Sequence, residues 1–242
     1  YTGSETLPWS GGKTGDHYAV QGNVLTGPEV VDAMGAAFET TEGDLASRLV
    51  TALAAGQAAG GDSRGRQSAA VLVVREGAGY MGAGDRLVDL HVEDHPTPIR
   101  ELQRLLGIRL SQVAVDDATN ALRAARDGED PDRRAEALAE ARAQAAKAVR
   151  LHELGDAGWV ALAGAEALAG DLTAASEAAR HALLINPALK RYSANPQTGL
   201  GIEPDVLARL LEDGRFRKLW DALPGEDDPV FQAETGSAEA AE

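Results

Sequence analysis

Residues 54–74 read AAGQAAGGDSRGRQSAAVLVV. A small-residue helix end runs through a glycine-bearing loop into an apolar strand. A turn at this place needs its glycines. It does not need Asp62, Arg64, Arg66 and Gln67 packed into six residues. A guanidinium can grip a carboxylate through two parallel hydrogen bonds, so Arg64 is a candidate for holding a substrate carboxylate. Gln67 and Ser68 can bond a substrate amide or a neighbouring backbone. The same groups allow an inward arrangement, in which Asp62 caps the turn and pairs with Arg64 or Arg66. Both readings stay open.

A second place is Gln21-Gly22-Asn23, at the end of a strand and just before a helix. Glycine lets a substrate approach the backbone, and the Gly22 N–H or the Asn23 side chain can stabilise an oxyanion. The alternative is a turn with a hydrogen-bonding Asn. Asp85, Asp89, His91, Asp94 and His95 cluster within eleven positions. A metal is conceivable there, but a solvated face with turn caps before Pro96 is the reading taken, and no metal or cofactor is expected. The chain holds no HExxH pair and no phosphate-binding glycine motif.

The elements that must position these residues follow from periodicity. Residues 1–4 read as the end of a strand and 17–25 as another, with Pro8-Trp9 and Gly11-Gly12 marking a loop between them. Thr26 reads as a helix N-cap with Glu29 in a capping box and Pro28 in the first turn. Val30, Val31, Met34 and Phe38 share a face of that helix. A second helix starts at Asp44, carries Leu45, Leu49 and Leu53 at spacing four, and stops at Gly60-Gly61. SAAVLVVRE, residues 68–76, is apolar enough for a strand covered on both faces. RLVDLHVE, residues 86–93, alternates: Val88, Leu90 and Val92 on one side, Asp89, His91 and Glu93 on the other. IRELQRLLG, residues 99–107, is a short helix. Paired strands alternating with paired helices predict an α+β layer structure, helices on a mostly antiparallel sheet.

From residue 108 to 223 the chain is rich in Ala, Leu, Arg and Glu and reads as helix throughout. Residues 224–242 are acidic and read as a disordered tail. Within the helical half, Trp159, Leu162, Ala163, Ala175, Ala182 and Pro187 fall where a tetratricopeptide repeat puts Trp, Leu, its small residue, Ala, Ala and Pro, so residues 156–189 resemble one such repeat. Residues 139–153 read as the second helix of a degenerate preceding repeat, and 203–223 as a capping helix or pair. A single repeat cannot bury its face alone, so neighbours must help.

Composition narrows the function classes. The 242 residues carry a formal charge of -15, which argues against a nucleic-acid or anionic-membrane partner. Without cysteine there are no disulfides and no thiolate metal sites. No run approaches the roughly 20 apolar residues of a membrane helix. No signal-peptide pattern appears, which gives a cytoplasmic expectation with secretion left open because the chain does not begin at Met.

YTGS…PW…G…YAVQGN.L.GPEVV.AM, then AGQAAGGD.RG.QSAA.LVV, then DR.VDL.V.DHP.PI.EL, resemble the bacterial DUF1028 family. The resemblance covers residues 1 to about 106 and implies an Ntn-hydrolase-like αββα sandwich. Members carry a further stretch before the position of Tyr1, including the first strands of the sheet, so residues 1–107 are expected to be the C-terminal half of that domain. An Ntn hydrolase attacks with an N-terminal Thr, Ser or Cys whose own α-amine is the base. No residue here corresponds to it. Thr2 would become N-terminal only on loss of Tyr1, and the strand pattern makes it an interior residue instead. The resemblance puts the GGDSRGRQS loop at an end of a central strand, where Asp62 can orient an N-terminal ammonium. The expected activity is hydrolysis of an amide or peptide bond in a small substrate. The rival reading is a binding or scaffold protein whose helices, serving as lid, self-association surface or peptide groove, recruit a protein partner, with homo-oligomerisation left open.

Overall fold

The computed structural model describes residues 3–79, 82–190 and 204–223. Thr2 and the tail, 224–242, lie outside the described residues. The chain divides into two compact units, Tyr1–Arg109 and Leu110–Glu242, and the division falls inside a helix.

In the first unit, β1 (Gly11–Gly15) and β2 (Tyr18–Gly22) form an antiparallel hairpin with Gly11 opposite Gly22 and Gly15 opposite Tyr18. The sequence predicts a loop at Gly11-Gly12 and a strand end at residues 1–4. Gly3 and Ser4 are instead irregular, and the strand starts at Gly11. The reason is steric. A Cβ on Gly11 would come within 2.3 Å of the Trp9 ring, and one on Gly15 within 2.1 Å of the Tyr18 ring. The glycines make room for aromatic rings, and a strand without side chains shows no alternation to read.

Helices α1 (Glu29–Thr40) and α2 (Leu45–Ala58) pack together, α1 against the hairpin and α2 against the next strand. Val30, Val31, Gly35 and Phe38 form the buried face of α1. Thr26 does not cap it: the N-cap is Pro28, with no side-chain bond. The Thr26 hydroxyl lies against Gly60 instead, where a Cβ would meet Oγ1 at 2.1 Å, and its N–H bonds Gly61 O at 3.0 Å. On α2, Asp44 does cap, accepting from Ser47 N at 2.9 Å. Its buried face is Ala46, Val50, Ala52 and Gly56 rather than the Leu45, Leu49, Leu53 row, with Leu45 exposed. Small residues let α1 come close: a Cβ on Gly56 would lie 2.7 Å from Met34 Cγ.

β3 (Ala69–Val74) and β4 (Arg86–Val92) form a second antiparallel pair, with Leu72 opposite Asp89 and Ala70 opposite His91. Val71, Val73, Val88 and Val92 are buried on one face. The expectation that β3 is covered on both faces fails, since Leu72 is 55% and Val74 63% exposed. An apolar run tells how a strand can be buried, and here the two strands stand as a separate ribbon whose other face is open. Among the described residues the architecture is mixed α+β, mostly helical, with two small two-stranded sheets.

α3 (Pro98–Asp127) is one helix of 30 residues, where a short helix ending near residue 107 was expected. Gly107 costs an isolated helix only about 1 kcal/mol and does not stop this one. The second unit continues with α4 (Pro131–Leu151), α5 (Asp156–Ala169), α6 (Leu172–Ile185), a 3-10 turn (Pro187–Lys190), α7 (Pro204–Leu210) and α8 (Gly214–Ala222). Gly170, at φ 83°, ends α5 and turns the chain into α6. Ala118, Ala145 and Ala161 cluster where α3, α4 and α5 meet. Ala163, Ala175, Ala179, Ala182 and Leu183 are fully enclosed between α5, α6 and the last two helices, whose anchors are Leu210 and Phe216. Lys190 Nζ donates to the Trp220 and Leu223 carbonyls at 2.6 and 2.7 Å, closing the C-terminal end of α8.

Candidate functional site

The two loops singled out by their chemistry meet in the structure. Segment 24–26, directly after Gln21-Gly22-Asn23, pairs with segment 61–63. Ser63 N donates to Val24 O at 2.8 Å, Thr26 N to Gly61 O at 3.0 Å, and Leu25 bridges Asp62. On its other side Leu25 exchanges backbone bonds with Trp9, at 2.9 and 3.3 Å. Two backbone features make the approach work. Gly60 has φ 126°, and a Cβ there would sit 2.1 Å from Thr26 Oγ1, so only glycine fits. Val24 adopts φ 55°, a conformation that strains a β-branched residue and that its bonded neighbours hold in place.

Within the charged loop, Asp62 and Arg64 form a fork. Arg64 Nε bonds Asp62 Oδ1 at 2.9 Å and Nη2 bonds Oδ2 at 2.6 Å. The Arg64 N–H adds a third bond to Oδ1 at 2.8 Å. The guanidinium beside Asp62 holds its carboxyl below the usual carboxylate range, and Asp62 in turn raises Arg64. Of the two readings of this loop, the inward pairing is the one drawn. The Asp62 side chain stays about 30% exposed, so it can still be approached. Arg66, Gln67 and Ser68 are exposed.

Gln21 is exposed and Gly22 and Asn23 are half-buried. The space over Gly22 belongs to Leu25, whose Cδ1 would lie 2.8 Å from a Cβ there. A packing neighbour thus accounts for this glycine without a substrate.

One residue expected among the turn caps before Pro96 joins the loop. His95 N donates to Gln67 O at 3.0 Å, and His95 Nδ1 accepts from Thr97 N at 3.0 Å. The contact spans 28 positions and has no local signal. Around Ser63, Gly61-Asp62-Ser63-Arg64-Gly65 has the G-x-S-x-G spacing, a signal present in the sequence. In hydrolases that use it, the motif sits on a strand-to-helix turn. Here a helix leads into it and a strand follows, so the elbow geometry does not carry over.

The wet side of β4 is tied up internally. Asp89 takes His91 Nε2 at 3.0 Å and also bonds Arg86, and these partners, His91 first, hold its carboxyl low. Asp85 accepts the Gly77 N–H at 3.0 Å.

In the helical unit an open groove of about 500 Å³ is lined by Asp171, Ser176, Glu177, Arg180, Asp213 and Arg215, among others. Two of its carboxylates cap helices: Asp171 accepts from Ala174 N, and Asp213 from Arg215 N and Phe216 N. The Phe216 N–H is the main cause holding Asp213 low. Arg180 bonds Glu177 at 2.8 Å while its Nε is buried without an acceptor. Between α4 and α5, Arg142 pairs with the enclosed Glu166 at 2.8 Å. Among the described residues no helix is long and apolar enough to cross a membrane.

No curated protein and no solved structure matches the chain. Residues 1–102 match the model of DUF1028, a family of unknown function, which supports the family resemblance for that part of the chain.

Proposed function

We propose that the first unit is part of an amide- or peptide-bond hydrolase of the Ntn type, with its substrate site at the paired 21–26 and 60–68 loops. The observation that carries this reading is the pairing itself. Two polar loops, distant in sequence, are locked together by Leu25–Asp62, Thr26–Gly61 and Val24–Ser63, with strain at Val24 of the kind that collects at functional sites. In this reading Asp62 presents a carboxylate kept ionised and oriented by Arg64, suited to receive an N-terminal ammonium. Asn23 is the oxyanion donor, since the Gly22 N–H lies in the β1–β2 ladder opposite Gly11. Gln21, Gln67 and Ser68 bond the substrate amide, and Arg64 offers its remaining N–H groups to a substrate carboxylate. The nucleophile is an N-terminal Thr, Ser or Cys outside the 242 residues. The αββα sandwich belongs to this proposal, its second layer covering the open face of the β3–β4 ribbon. The test is turnover of a panel of amide and dipeptide probes by the full-length protein, with Asp62→Asn expected to lower it by about 10²-fold or more at little cost in stability.

The rival reading, a binding protein with tetratricopeptide-like helices, draws on the helical unit. There Ala163, Ala175 and Ala182 are wholly buried between α5 and α6, and the adjoining groove is large enough for several side chains of a peptide. Turnover that depends on Asp62 would decide against this as the protein's main role.

A further inference from the structure

We draw no further inference here: the strongest candidate, the open groove of the helical unit at the N-terminal ends of α6 and α8, carries nothing, because Asp171 and Asp213 are spent on the helix caps and Glu177 on Arg180, the unpartnered Arg180 Nε is enclosed beyond a ligand's reach, and nothing in the structure shows what would fill the groove.

Discussion

The two units solve the problem of burial in different ways. In the helical unit the enclosed positions are mostly alanine: Ala118, Ala141, Ala145, Ala163, Ala165, Ala175, Ala179 and Ala182 are at or near zero exposure. Methyl-sized contacts let helices approach closely, and the larger Leu183, Leu210 and Phe216 fill what remains. In the first unit the core rests on valines, Phe38, Leu102 and Leu106, and one ribbon face with Leu72 and Val74 is left to water. A two-stranded ribbon is marginal without a third strand or a cover. The comparison teaches that the units differ in what fills their cores, methyl groups in one and branched side chains in the other, while both leave apolar side chains to water: Leu72 and Val74 in the first, Leu154 and Leu184 in the second. That difference follows from packing, whatever chemistry the loops perform.

The comparison breaks most visibly at Ala175. Glutamate there would put a charge where only a methyl fits, and the expected cost, above about 4 kcal/mol, unfolds the helical unit. Calorimetry should then show that unit's transition lost and the first unit's retained. One transition moving as a whole would mean that the units do not melt separately. Next in size is the behaviour of residues 1–107 alone, which should aggregate through the bare ribbon and be rescued by further strands added in cis or in trans. A monomeric fragment that melts cooperatively would contradict this.

A finer probe compares neighbours on β3. Val71→Ala should cost about 2 kcal/mol, since Val71 is 5% exposed. Leu72→Ala should cost less than about 0.5 kcal/mol in the 242-residue chain. Chemical denaturation of both variants checks the difference, and a Leu72→Ala cost close to that of Val71→Ala would show the open face to be covered. The smallest effect concerns acid. Asp62 is lowered in the folded state by Arg64. Its stabilising contribution is therefore present above the ordinary Asp range, near pH 4, and is lost as pH falls through the lower folded value. Melting curves between pH 3 and 7 should show Asp62→Asn converging with the parent at the acid end. A gap that stays constant across the range would contradict the pairing.

Local signals were legible where one residue decides. Asp44 announced its helix, Gly60-Gly61 ended it, and alternation marked β4. What was missed depended on partners. The GGKTG strand is glycine because Trp9 and Tyr18 lie over it, and neither ring can be inferred from the glycines. Thr26 failed as a cap because its hydroxyl lies against Gly60 rather than over the helix start. The exposed side of β3 reflects which elements cover it, not its own composition. At the site, the polar residues of both loops were visible, and so was the choice between an inward and an outward Asp62. Their meeting at Leu25 and Asp62, and the link from Gln67 to His95, join residues tens of positions apart and leave no trace in spacing.

The account's central claim is that the paired loops serve amide hydrolysis. Its most direct test is release of amine from dipeptide and N-acyl amide probes by the full-length protein, measured for parent, Asp62→Asn and a variant replacing the N-terminal nucleophile. The account predicts turnover in the parent, loss of about 10²-fold or more in Asp62→Asn with melting nearly unchanged, and no turnover without the nucleophile. Turnover that survives both substitutions, or a folded full-length protein that releases no amine from any probe, would contradict it.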